Sequence, residues 1–176
     1  MVITNDVGHH FDWRHLHFGG QIMYNEIRND INGLMQKARL IDIYRVLDLV
    51  GFVFELPGKK KLKIHTQCYI RIFDSDNTLA ICTQNMFSPS PEYKKKKFKW
   101  TKVGTTLFDY AINEYRDKLY STEVVSATFD NKDLIIRFAN NMYLEILTIT
   151  TKYDDLEYYE DYRIFGEDRT EEHYIV

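Results

Sequence analysis

The chain has 176 residues and a mass of 21.1 kDa, enough for one domain of ordinary size and too little for two comfortable ones. At 44% hydrophobic and 28% charged, with three prolines and eight glycines, it is not a wholly disordered, collagen-like or Pro-rich polymer. The net charge of −3 argues against a dedicated nucleic-acid binder, and two cysteines cannot frame a disulfide-rich scaffold.

Residues 1–20 read as a leader of uncertain order. They hold four histidines, two aspartates and an arginine where a signal peptide would need an apolar core. The longest uncharged apolar run, Leu49 to Phe54, falls far short of the ~18 residues that cross a bilayer. The expectation is a soluble, cytoplasmic protein with one domain over 21–176. Within the leader, His15-x-His17 would turn both imidazoles to one side if extended; these are weak metal candidates, and no cofactor is expected.

From Ile22 to Ala38, apolar residues recur at Met23, Ile27, Ile31, Leu34, Met35 and Ala38, which is helical spacing. Leu40 to Leu56 then reads as one long strand buried on both faces, closed by the Pro57-Gly58 turn. The next strand alternates: Leu62, Ile64, Thr66, Cys68, Ile70 and Ile72 face one way, and Lys63, His65, Gln67, Tyr69 and Arg71 the other. Asp74 to Asn77 predicts an Asx-type turn, and Leu79 to Phe87 a third strand. Ser88 to Pro91 and the lysine run Lys94 to Lys97 predict a surface loop.

Thr106-x-x-Asp109 opens a second helix, the hydroxyl able to cap and the carboxylate favourable in the first turn. Its apolar stripe is Leu107, Phe108, Ala111, Ile112, Tyr115 and Leu119. A meander follows at 123–129, 134–139 and 142–149, joined by Asn-containing turns that tolerate positive φ. Two short strands, Tyr162 to Phe165 and His173 to Val176, close the chain. The order predicts an α+β fold: a mostly antiparallel, curved sheet with two main helices packed on it.

Charge is unevenly placed. Residues 151–176 hold nine acids against three bases, net −6, which leaves +3 for residues 1–150. An acidic, tyrosine-rich stretch made of Tyr153, Asp154, Asp155, Glu157, Tyr158, Tyr159, Glu160, Asp161 and Tyr162 offers aromatic anchors and electrostatic steering toward a basic protein partner. Phe98 and Trp100 among the lysines of 94–102 sketch a nucleic-acid surface, outweighed by the overall negative charge.

Charges inside apolar strands are costly unless paired. Arg45 and Asp48 interrupt one such run, and His65, Gln67 and Arg71 line the polar face of the next. Either Asp48 meets Arg71 or Arg45 in a structural ion pair, or the five line a pocket. No Ser/His/Asp or Cys/His arrangement, and no Gly-rich phosphate loop, stands out. Cys68 and Cys82 read as buried free thiols.

Several stretches, in order, carry a resemblance. They are Tyr44-Arg45-Val46-Leu47-Asp48-Leu49, the run from Leu62 to Ile72, Gly104-Thr105-Thr106-Leu107-Phe108-Asp109, Asp133 to Phe138, Glu160 to Phe165 and His173 to Val176. The chain resembles a family of small uncharacterised bacterial proteins, many Gram-positive, some presumed to be immunity-type partners of polymorphic toxins. Two positions depart from that family: Tyr162 stands where Trp is frequent, and Asn85 where Asp is frequent, which removes an acid-based reaction at 85. The resemblance implies a non-enzymatic, antitoxin-like module and a toxin-like protein partner.

Overall fold

The computed structural model describes residues 30–93, 98–149, 160–166 and 174–176. Its strands pair only in antiparallel fashion and form two five-stranded sheets. After helical residues 30–35 (α1) come β1 (Arg39–Val46), β2 (Leu49–Glu55), β3 (Lys61–Thr66), β4 (Tyr69–Phe73) and β5 (Leu79–Cys82). Helix α2 (Leu107–Tyr120) precedes β6 (Val124–Asp130), β7 (Asp133–Phe138), β8 (Tyr143–Leu147), β9 (Tyr162–Gly166) and β10 (Tyr174–Ile175). The first sheet has the order β1-β2-β3-β9-β10 and the second β5-β4-β8-β7-β6.

Three expectations are corrected. The single curved sheet is two sheets, because the long alternating strand breaks at Gln67-Cys68 and its halves enter different sheets. At this corner the Thr66 hydroxyl accepts the Cys68 N–H at 2.9 Å and donates to the Asp161 carbonyl at 3.1 Å. The period of two survives the break: Leu62, Ile64, Thr66, Cys68, Ile70 and Ile72 are all buried, so both halves face one core. Second, Leu40 to Leu56 is a hairpin, turning at Leu47-Asp48 with Leu47 at φ 57°. Third, the strand expected over Leu79–Phe87 ends at Cys82, and Thr83–Phe87 is a 3₁₀ turn. The Thr83 hydroxyl takes the Ile70 N–H at 2.6 Å, which satisfies that donor without further backbone pairing.

Helices contribute less than expected, since strands dominate the described residues and α2 is the one long helix among them. Phe108, Ala111, Ile112 and Leu119 bury one face of α2. Three large side chains at about 1.5–3 kcal/mol each outweigh what a 14-residue helix lacks alone. The hydroxyl of Tyr120, at the last position of α2, accepts the Ile43 N–H at 2.8 Å and so covers part of the open edge of β1. Asn131 (φ 55°) and Asn141 (φ 67°) make the meander turns, as their side chains suggest. One cluster joins Phe52, Phe54 and Ile64 from the first sheet with Ile70, Ile136 and Leu144 from the second and Met35 and Phe108 from the helices.

Candidate functional site

Arg45 carries its charge in the interior, with its side chain 1% exposed. β1 points it inward beneath the start of α2. There Nε and Nη2 reach the two Asp109 oxygens at 2.8 and 2.9 Å, a bidentate pair. Nη1 and Nη2 also donate to the Leu47 and Lys102 carbonyls at 3.0 and 3.1 Å. The Thr106 hydroxyl caps the helix as expected, and Asp109 completes a capping box with it and accepts the Gly104 N–H at 2.8 Å, where Gly104 holds φ 83°. Burial alone would raise the Asp109 pKa. The hydrogen bonds from Arg45 and Thr106, with the Arg45 charge, prevail and hold the carboxyl below its ordinary value.

On the outer face of the first sheet, Tyr44, Gly51 and His65 lie side by side across β1, β2 and β3. Gly51 has no side chain to obstruct, so the Tyr44 hydroxyl crosses β2 and hydrogen-bonds His65 Nε2. The Phe165 ring packs edge-on against His65 from β9, with centroids 4.7 Å apart. Beside them lies a cleft of about 550 Å3 lined by Leu49, His65, Thr66, Gln67, Glu160, Asp161 and Arg163. Arg163 is ion-paired to Glu160, and Gln67 donates to Asp48 at 3.3 Å.

The five residues expected to gather therefore separate. Asp48, His65 and Gln67 adjoin one cleft, but Asp48 sits in the hairpin turn and pairs with neither arginine. Arg45 belongs to the α2 junction. Arg71 points from the outer face of the second sheet to Glu145 at 2.6 Å, directly across from it on β8. Its guanidinium stands 5.4 Å from the Phe73 centroid, Phe73 stacks on Tyr143 at 4.6 Å, and Arg137 caps Tyr143 at 5.1 Å. With each ring stacked on the other and flanked by a guanidinium, this ladder is cross-strand packing.

Of the acidic, tyrosine-rich stretch, Tyr153, Asp154, Asp155, Glu157, Tyr158 and Tyr159 lie outside the described residues, as do His15 and His17 and the lysines 94–97. Two of its described members are corrected from surface to interior. Tyr162 is wholly buried and donates to the Lys132 carbonyl at 2.6 Å. Asp161 is 3% exposed; its Oδ1 accepts the Ile149 N–H at 3.2 Å, and its carbonyl accepts the Cys68 thiol at 2.9 Å. An alternating strand must turn some of its polar-looking residues inward, and β9 turns Tyr162. Cys68 and Cys82 are both buried and free. Burial first, then the Asp161 charge, pushes the Cys68 thiol up to about 12 despite the Thr66 hydrogen bond.

Several apolar side chains that the sequence does not mark as exposed stand in solvent. Val46, Leu47, Phe87 and Val103 are each at least half exposed, and Phe87 lies 5.5 Å from the Trp100 ring. The aromatic character of Phe87 and Trp100 is visible in the sequence; their meeting is not, because the sequence predicts a strand through Phe87 where the structure has a 3₁₀ turn. Among the described residues no three His, Cys, Asp or Glu side chains group to hold a metal ion. Nor is any described helix long and apolar enough to cross a membrane. No family model, curated protein or solved structure matches the chain.

Proposed function

We propose that this chain is a non-enzymatic protein-binding module of the immunity type, acting in the cytoplasm on a toxin-like protein. What supports the reading is how the fold spends its charges. Arg45 directs four hydrogen bonds to Asp109 and two carbonyls, Arg71 goes to Glu145 and Arg163 to Glu160. Ionisable groups tied to partners in this way serve architecture, while large apolar side chains stand in solvent, where they favour association. The acidic, tyrosine-rich segment from 153 to 160 is the surface the sequence offers to a basic partner.

Growth rescue tests the reading. Each product of the neighbouring genes is expressed alone and together with this chain. A product that arrests growth alone, is tolerated with the chain, and co-elutes with it at low salt is the expected result. Absence of both rescue and complex across those genes would overturn it.

A second reading has its own observation, the cleft beside His65. It would take a small polar ligand against His65, Gln67 and Arg163. Nuclear magnetic resonance titration with amino acids, sugars and nucleotides separates the two: saturable shifts confined to the cleft, lost in Gln67→Ala, favour the ligand.

A further inference from the structure

The cleft beside His65, at about 550 Å3, has the size of a small-ligand site, which is ~300–1,000 Å3. It lies at one end of the first sheet, where β3 reaches the corner at Gln67-Cys68 and β9 begins. Register sets its members. His65 and Arg163 stand directly across from each other, and Leu49 closes the β1–β2 hairpin opposite Val46. Gln67 ties the exposed Asp48 to the rim.

What such a cleft admits is decided by charge. Among the described residues of the lining, Glu160 and Asp161 are acidic and Arg163 is basic, an excess of one negative charge. Asp48 at the rim adds to that excess. Lys63 shares the face of β3 but stands two residues farther along, level with Val53 and Phe165. Arg163 directs Nε and Nη2 to the two Glu160 oxygens, so an anion must displace Glu160 and then face Asp161. A cation displaces nothing. A carboxylate accepts about four hydrogen bonds, and the two from Arg163 leave Glu160 lone pairs for a second donor. Asp161, 3% exposed, contributes its field through the cleft wall, where low dielectric strengthens it. Leu49, half-buried, gives an alkyl chain an apolar surface to pack on.

We infer that the cleft binds an organic cation: an alkyl chain along Leu49 that ends in an ammonium or guanidinium group on Glu160. The inference rests on the ligand reading of the cleft and narrows it from small polar molecules to this class. A free amine and a lysine or arginine side chain of a protein partner offer the same chemistry.

The test follows backbone amide shifts of the full chain by nuclear magnetic resonance, at about pH 7.5, where histidine is ordinarily neutral. The probes are butylammonium, butylguanidinium, butyramide and butyrate, which share a short alkyl chain and differ in the polar head. The two cations should shift Leu49, Gln67 and Arg163 saturably, bind at least about tenfold tighter than butyramide, and weaken with salt. Glu160→Gln should weaken both cations about tenfold and open the Arg163 fork to butyrate, at an unchanged melting temperature. A merely structural role does not produce that reversal. A lysine flanked by glycines and blocked at both ends assigns the source: binding as tight as butylammonium marks a protein side chain, and weaker binding a free amine. Butyramide or butyrate binding the native chain as tightly as the cations overturns the assignment while the ligand reading stands. So does a Glu160→Gln chain that keeps the native preference. Silence with all four probes overturns it too, and the ligand reading then falls only if amino acids, sugars and nucleotides are silent as well.

Discussion

A methyl group at Gly51 would land on the Tyr44 ring, for an ideal Cβ falls 2.2 Å from Cζ and 2.6 Å from each flanking ring carbon. Real carbons do not approach so closely, so Gly51→Ala must push the ring away and break the Tyr44–His65 hydrogen bond. Overpacking of this kind costs about 1–3 kcal/mol, which a urea midpoint resolves. In a Tyr44→Ala background the same substitution should become neutral or stabilising, since alanine orders a strand at lower entropic cost than glycine. Were the two backgrounds equally sensitive, the ring would not be the obstacle. Nothing in the sequence announces this contact. Tyr44, Gly51 and His65 are adjacent only through register, and register follows from a turn at Leu47-Asp48 that lacks glycine, proline or asparagine.

At the scale of elements, the start of α2 shows what local sequence can and cannot reveal. Thr106-x-x-Asp109 is a capping signature readable from four residues, and the box is present. That Arg45 needs a partner is also readable, from a charge set inside an apolar run. Its partner is not, because Asp109 lies 64 residues away and already has a local role as the cap. One carboxylate therefore secures the helix start, the preceding loop and β1 together. Asp109→Ala should cost about 3–5 kcal/mol by leaving Arg45 buried and unpaired, whereas Arg45→Met with Asp109→Leu should cost far less. The acid limb of stability gives an independent reading. A depressed folded pKa stabilises fully above the unfolded value, near 4, and that contribution drains away as pH falls through the folded value. Native stability should thus decline below about pH 4, and Asp109→Asn should flatten the decline. An unchanged acid limb in the variant would assign acid unfolding to other carboxylates.

For the molecule as a whole, the alternation from Leu62 to Ile72 identified every inward residue correctly while concealing that the strand serves two sheets. A period of two specifies the face, not the neighbour, and an unbroken period gives no sign of a corner. Cys68 stands at that corner, 1% exposed, its thiol donating to Asp161 beside β9. It is therefore a built-in reporter on the joint between the sheets. With its pKa pushed up to about 12, the native thiol carries almost no thiolate near neutral pH, so in a Cys82→Ala chain a disulfide reagent should leave Cys68 unmodified until denaturant opens the corner. A raised folded pKa stabilises fully below the unfolded value of 9.0, and the contribution is lost as pH climbs from there toward the folded value. The alkaline limb should consequently steepen above about pH 9, and Cys68→Ala should lower stability at neutral pH yet remove part of that steepening. Rapid modification of Cys68 in the native chain at neutral pH would mean that the two sheets part at this joint without global unfolding.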